Sequence, residues 1–275
     1  HRSTLITLGG AIFIYPISQH EEEQFITYAL DHGVNHIDVA PTYGDAEYRL
    51  GKWVKEYRGS LFLACKTRQR TEVEATKELE RSLSNLQTDY LDLYQLHGLD
   101  SAEELKLVLS EEGAIQALLK AKEQGLVRHL GITSHNPENI LNALQAFDFD
   151  TILLPVNYVL RAHAEPKNDY RPVLALANKR NLGVIAMKSI AKGPWPSDDK
   201  VHNTWYQPFN TQTEVDEAVW FTLSQQVTTA TSSSDIQIAK MMIDAAERFT
   251  PMRERSQDEL LETASRYHPL FPRVS

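Results

Sequence analysis

The chain has 275 residues, 42% of them hydrophobic and 24% charged, which gives enough apolar surface for a large core and excludes a disordered chain. The net charge of −9 disfavours nucleic acid and anionic membranes as partners, and no apolar run approaches the roughly 18 residues of a membrane-spanning helix. The single cysteine excludes a disulfide scaffold and a cysteine-rich metal site and, with no secretory signal in these residues, predicts a cytoplasmic protein.

Short apolar runs alternate with amphipathic stretches along the whole chain. Most of these runs are continuously apolar, which is typical of parallel strands that are buried on both faces. The predicted strands are Thr4–Phe13, His36–Ala40, Leu61–Thr67, Leu91–His97, Arg128–Thr133, Ile152–Asn157, Gly183–Lys188 and Val227–Ser232.

The stretches between the strands carry the start and stop signals of helices. Helix starts are predicted at Ser18, Thr71, Asn136 and Ser234, and helix ends at Gly33 and Gly125. A last amphipathic stretch, Arg253–Tyr267, predicts an extra C-terminal helix.

Eight strands, each followed by a helix, predict a single (β/α)8 TIM barrel domain over residues 1–275. The competing architecture is an open doubly wound sheet, which would show a glycine-rich phosphate loop after its first strand. The pair Gly9-Gly10 lies inside the first predicted strand and opens no helix, so the closed barrel is favoured.

Four ionisable residues fall at the C-terminal ends of neighbouring strands, where barrel active sites lie: Asp38, Tyr43, Lys66 and His97. This set suits proton transfer to a carbonyl oxygen. A phenol with a pKa near 10 is a poor acid at neutral pH, but an adjacent ammonium could lower its pKa by about two units. A carboxylate would keep that lysine charged, and a histidine would position the substrate oxygen. The other histidines lack ligand spacing, so no metal site is expected.

Several motifs in this order resemble those of the aldo-keto reductases, in particular a bacterial subgroup. They are GVNHIDVAPTYG at 33–44, LERSLSNLQTDYLDLYQLH at 79–97, GLVRHLGIT at 125–133 and VIAMK at 184–188. The resemblance implies an NAD(P)H-dependent oxidoreductase that reduces a small aldehyde or ketone. It also implies that Asp38, Tyr43, Lys66 and His97 form the catalytic tetrad, with Tyr43 as proton donor.

The resemblance further implies which residues contact the cofactor. They are Thr133, Ser134 and Asn157 at the carboxamide, Met187 and Lys188 at the nicotinamide ring, Ser189 and Lys192 near the pyrophosphate, and Ser232, Ser233, Ser234 and Gln237 at the adenosine 2′-phosphate. The phosphate segment has no Arg or Lys between Ala230 and Ala239, and Asp235 adds a negative charge. Free amides and hydroxyls at the helix start should still favour NADPH over NADH, by about tenfold.

Two other functions are compatible with these residues. Lys66 could form a Schiff base in a lyase, or the barrel could bind the cofactor as a regulatory sensor without turnover. The loop Ser189–Asn210 contains four aromatic residues, Trp195, Trp205, Tyr206 and Phe209, which either line the substrate pocket or pack the loop itself. Only eight residues follow Tyr267, so no long C-terminal specificity loop is expected. Neither the natural substrate nor the oligomeric state follows from these motifs.

Overall fold

Eight parallel strands close into a barrel in the computed structural model, which describes residues 2–271 of the chain. The barrel strands are β1 Ile6–Gly9, β2 His36–Asp38, β3 Phe62–Thr67, β4 Leu91–Leu96, β5 Val127–Thr133, β6 Thr151–Pro155, β7 Gly183–Met187 and β10 Thr229–Thr231. Two further short strands, β8 Ala191–Gly193 and β9 Gln207–Pro208, lie outside the barrel. The order around the barrel is β1, β10, β7, β6, β5, β4, β3, β2. The predicted (β/α)8 fold is therefore confirmed.

The first predicted strand, Thr4–Phe13, is wrong in its second half. The strand β1 ends at Gly9, and Gly10–Ile14 form a 3-10 helix. Two adjacent glycines have no side chains to pack on a sheet, and a Cβ at Gly10 would lie only 3.0 Å from Cγ2 of Val39. The ends of the other predicted strands differ from the observed ones by no more than two residues.

Helices cover the outside of the barrel. They are α1 Gln19–Asp31, α2 Ala46–Tyr57, α3 Glu72–Asn85, α4 Ala102–Val108, α5 Ala114–Glu123, α6 Pro137–Ala146, α7 Tyr158–Ala162, α8 Arg171–Lys179, α9 Gln212–Leu223, α10 Ile236–Glu247 and α11 Glu254–Ala264. Within residues 2–271, no helix is long and apolar enough to cross a membrane.

Three predicted helix starts are confirmed, and one is wrong. Ser18, Thr71 and Asn136 accept backbone amides at the starts of α1, α3 and α6. The start of α10 is capped by Asp235 rather than by the predicted Ser234. An aspartate caps as well as a serine and also places a negative charge at the positive end of the helix dipole.

A short antiparallel hairpin, β8–β9, follows β7 over the barrel mouth and was not predicted. Strands of three and two residues are too short to show a period in sequence. The barrel interior below the mouth is filled by a buried apolar cluster of Phe62, Ala64, Leu93, Leu153 and Ile185. This packed interior gives the polar residues above it a rigid, dry floor.

Candidate active site

The four residues predicted to form the tetrad line one cavity of about 330 Å³ at the C-terminal ends of the strands. Asp38 ends β2, Lys66 lies in β3, and His97 directly follows β4. Tyr43 lies in the turn after β2, where its amide donates to the carbonyl of Ala40. The next residue, Gly44, has φ +62°, and a Cβ there would lie 2.8 Å from the Phe13 carbonyl oxygen. Glycine therefore allows the turn that aims Tyr43 into the cavity.

A buried ion pair forms the base of the site. Nζ of Lys66 donates to Oδ2 of Asp38 at 2.5 Å and to the carbonyl oxygen of Val39 at 3.3 Å. The other carboxylate oxygen, Oδ1, accepts from Nε2 of Gln95 at 2.9 Å. Both Asp38 oxygens thus have a donor, as a buried carboxylate requires. Gln95 was not among the predicted site residues.

The electrostatics of this pair fix the charge of Lys66. Burial alone would lower the pKa of Lys66, but the carboxylate of Asp38 and the phenol of Tyr43 raise it by more. The pKa of Lys66 therefore lies above its ordinary value, and the side chain is an ammonium at neutral pH. A Schiff-base lysine needs a neutral amine, so this environment disfavours the lyase alternative.

The predicted lowering of the Tyr43 pKa is wrong in this structure. Burial raises the pKa of the phenol, and the positive charge of Lys66, whose Nζ lies 5.0 Å from the ring centroid, only partly offsets that rise. Desolvation outweighs the single cation because the phenolate would lose its water shell. Tyr43 is consequently fully protonated at neutral pH, and Lys66 keeps its pKa from rising further.

His97 is neutral and lies against Tyr43. Burial lowers the pKa of His97 well below its ordinary value, and the charges of Lys66 and Arg68 lower it further. The two rings meet edge to face, with centroids 5.8 Å apart. A neutral imidazole beside a protonated phenol can position a carbonyl oxygen without adding a charge.

A second polar chain on the cavity wall was not predicted. Nδ1 of His135 lies 3.1 Å from Oδ2 of Asp100, and Nε2 of His135 lies 3.0 Å from Nζ of Lys188. The lysine has only donors, so Nε2 accepts and Nδ1 carries the proton. Lys188 itself has φ +59°, a backbone conformation that is uncommon outside glycine and that turns its side chain into the cavity.

Some of the predicted cofactor residues line this same cavity, and others do not. Thr133, Met187, Lys188, Ser232 and Ser234 line it. Thr133 accepts the Gly98 amide at 2.7 Å, and Ser232 accepts the Gly9 amide at 3.0 Å.

The remaining predicted cofactor residues lie behind the wall or away from it. Ser134 donates to Asp100, Asn157 bonds the carbonyl of Lys188 and the amide of Leu160, and Ser233 accepts the amide of Asp235. Ser189 is buried, and its Oγ has no hydrogen-bond partner within residues 2–271. Gln237 is exposed on α10.

Lys192 lies outside the tetrad cavity, in a separate crevice between the hairpin and the C-terminal part of the chain. Its ammonium lies over the rings of Phe209 and Tyr267, at 5.6 and 5.2 Å from their centroids. Phe209 is buried and Tyr267 is half-buried, and the cation–π contacts with both rings hold the ammonium in this crevice. The predicted place of Lys192 near the pyrophosphate gains no support from this geometry.

The free amides expected at the start of α10 are already occupied. Oδ1 of Asp235 accepts the amides of Gln237 and Ile238 at 3.0 and 3.1 Å, and Oδ2 accepts the amide of Asn203 at 3.0 Å. Oδ2 also lies 3.4 Å from Nδ1 of His202. The chain's own carboxylate thus fills the place where an anion would bind a helix start.

The chain is similar to known proteins in both sequence and fold. A model of the aldo/keto reductase family matches residues 5–269. The chain belongs to the aldo/keto reductase family. It is 32% identical to the aldo-keto reductase YhdN of Bacillus subtilis over 182 residues, which are 61% of this chain and 51% of YhdN. It is 33% identical to the methylglyoxal reductase DkgA of Yersinia pestis over 122 residues, 43% of this chain and 42% of DkgA.

The chain spans about half the length of the curated relatives that it matches. Among solved structures, the holo form of an aldo-keto reductase from Bacillus halodurans superimposes with a TM-score of 0.72 at 21% identity, covering 94% of this chain and 91% of that one. A Bombyx mori aldo-keto reductase in complex with NADP gives a TM-score of 0.68 at 18% identity, covering 94% and 88%. At these identities the superpositions show the shared fold.

Two of the four loop aromatic residues line the cavity of this family member. Trp205 and Tyr206 do so, together with Ile14 and Tyr15 from the 3-10 helix after β1. Trp195 instead donates its Nε1 to the carbonyl of Thr204. Phe209 is buried and stacks on Tyr158, with centroids 5.1 Å apart. Both predicted alternatives, pocket lining and loop packing, are therefore realised in different residues.

Proposed function

We propose that this chain is a carbonyl reductase that uses a nicotinamide dinucleotide and Tyr43 as the proton donor. The observation that carries the proposal is that a protonated Tyr43, a neutral His97 and the charged pair Lys66–Asp38 share one cavity. The family membership supports an oxidoreductase that acts on carbonyl groups.

The residues present fit the nicotinamide end of such a cofactor better than its phosphate end. The cavity runs from the tetrad past Met187 to Ser232 and Ser234, which leaves room beside the tetrad for a flat ring. A reduced nicotinamide bound there supplies a hydride to a carbonyl carbon. The start of α10, by contrast, is filled by Asp235, so the tenfold NADPH preference expected from free amides should shrink to little or none.

In the proposed reaction each residue of the tetrad has a separate task. His97 orients the carbonyl oxygen toward Tyr43, and the Tyr43 hydroxyl gives its proton to that oxygen as negative charge develops on it. Lys66 stabilises the phenolate that remains, and Asp38 keeps Lys66 charged and in place. The product is an alcohol, and the phenolate regains its proton from solvent. A cytoplasmic location stays a prediction.

Oxidation of NADPH or NADH over many turnovers with a reactive test aldehyde tests this proposal. Sustained turnover that is lost in Tyr43→Phe supports it. Cofactor binding without any turnover would instead favour a regulatory barrel. Trapping of a Lys66 adduct by borohydride, in the presence of substrate, would favour the lyase.

A further inference from the structure

A second cavity, of about 480 Å³, adjoins the tetrad cavity, because His135 lines both. Its other lining residues are Arg68, Asp100, Asn136, Glu138, Lys167 and Phe271.

Arg68 lies two positions after Lys66 and points toward this second cavity. Its guanidinium lies against Gly98, where a Cβ would come within 3.1 Å of Nη2. Within residues 2–271 the guanidinium has no hydrogen bond or ion pair of its own. Its charge still reaches the neighbouring catalytic group, because it is one of the charges that lower the pKa of His97.

Neither of the two acidic residues that line the second cavity forms an ion pair with Arg68 within residues 2–271. Asp100 is already used: Oδ1 accepts from Ser134 Oγ and the His135 amide, each at 2.8 Å, and Oδ2 faces Nδ1 of His135. Glu138 is exposed in the first turn of α6 and forms no salt bridge within residues 2–271. Within residues 2–271 Arg68 and Lys167 thus form no salt bridge, although both line a cavity beside the active site.

We propose that the substrate of this reductase is a carbonyl compound that also carries one carboxylate. The carboxylate binds the Arg68 guanidinium while the carbonyl oxygen lies between Tyr43 and His97. A planar guanidinium matches a carboxylate with two parallel hydrogen bonds, and the one unpaired guanidinium of Arg68 matches one carboxylate. The inference rests on the proposed carbonyl reduction and adds the chemical class of the substrate.

Paired substrates test the inference: 4-carboxybenzaldehyde and its methyl ester differ in the negative charge and in one methyl group. The unmodified chain should reduce the acid with a kcat/KM about tenfold or more above that of the ester. Arg68→Met, which keeps an apolar stem, should remove about tenfold to a hundredfold of the acid's kcat/KM through KM and leave the ester unchanged. Lys77→Met on the exposed face of α3 removes the same charge away from both cavities and should change neither substrate.

Calorimetric binding of benzoate, compared with benzamide, separates this inference from the proposed function because it needs no turnover. Benzoate binding that is weakened by Arg68→Met supports the anion site even if neither aldehyde is reduced, in which case only the proposed reaction fails. Reduction of both aldehydes at equal rates, with Arg68→Met without effect on benzoate, overturns the inference and leaves the reductase intact. Since Arg68 is exposed, thermal unfolding of the variant should match that of the unmodified chain.

Discussion

Lys66 and Asp38 form an ion pair of 2.5 Å in which the side chains are 1% and 4% exposed. Such a pair is costly to bury and is weak evidence of stability by itself. The pair lies at the C-terminal ends of two neighbouring strands, next to Tyr43, and we therefore interpret it as part of the catalytic machinery. The pair keeps a positive charge where the phenol of Tyr43 must lose its proton.

Removing one member of the pair should therefore damage both folding and activity. Lys66→Met leaves the Asp38 carboxylate buried and unpaired, which should cost about 3–5 kcal/mol of unfolding free energy. Urea unfolding measures this cost, and the double variant Asp38→Leu/Lys66→Met is the control. The double variant should recover part of the lost stability but none of the activity. A single variant as stable as the unmodified chain would contradict the buried-pair account.

Tyr43→Phe should separate chemistry from binding. The variant loses only the hydroxyl, so carbonyl reduction should fall by about a hundredfold to ten-thousandfold. Dissociation constants for the reduced cofactor, from quenching of tryptophan fluorescence, should stay unchanged. Normal turnover in this variant would remove Tyr43 from the mechanism.

Gln95 should act as a positioning residue for Asp38. Gln95→Leu removes the donor to Oδ1, so the carboxylate can rotate and Lys66 loses its fixed place under Tyr43. We expect kcat to fall by about tenfold, the value of one lost hydrogen bond to a charged group, with KM unchanged. Gln95→Glu, which replaces the donor by a second carboxyl, should depress kcat more strongly at high pH than at low pH. Equal losses across the pH range would indicate a packing role only.

Asp235 should determine how the chain chooses between NADPH and NADH. Asp235→Gly frees the amides of Gln237 and Ile238 and also removes the acceptor of the Asn203 amide. Glycine as the cap itself costs only a few tenths of a kcal/mol. The dissociation constant for NADPH should fall by about tenfold relative to that for NADH, which serves as the internal control. If both constants change together, the 2′-phosphate does not reach the start of α10.

The buried side chain of His36, at the start of β2, should make the folded state less stable in acid. Burial lowers the pKa of His36 to about 3, and its Nδ1 lies 2.8 Å from Oγ of Ser3. The unfolded chain binds a proton near pH 6.5 and the folded chain does not, so the stability contributed by neutral His36 is present above about pH 6.5. It is lost as the pH falls from there toward 3, by up to about 1.4 kcal/mol per pH unit.

Urea unfolding at pH 7 and pH 5 checks this sign. His36→Leu, which cannot titrate, should lose less stability between the two values than the unmodified chain. His97 contributes in the same direction, because burial lowers its pKa too, and it is present in both proteins. Parallel pH curves for the two proteins would show that His36 is solvated.

The sequence predicts the barrel strands well where apolar residues run without a break, as in the first part of β3 and in β7. It fails after Gly9, because Gly10 continues the apolar run of β1 without continuing the strand, and at the hairpin β8–β9, which is too short to have a period. Local patterns carry no information on contacts between distant segments. The choice of Asp235 over Ser234 as a cap depends on such a contact, since Asn203 also donates to Asp235.

In the candidate site, too, features set by local sequence patterns are predictable and features set by distant contacts are not. Asp38, Lys66 and His97 are predictable because strand ends are predictable. Gln95 carried a usable signal, since strand alternation places it on the same face as His97 and therefore inside the barrel. The net rise of the Tyr43 pKa could not be predicted, because it depends on how deeply the phenol is buried once the loop containing Trp205 covers the mouth.

The closure of the barrel between β1 and β10 has a consequence for synthesis on the ribosome. The Gly9 amide bonds Ser232 across 223 positions of the chain, so one edge of β1 has no partner until β10 has emerged. Contacts this distant slow folding and leave a strand edge open to pairing with other chains. We expect the nascent chain to need protection by a chaperone until its last strand is translated.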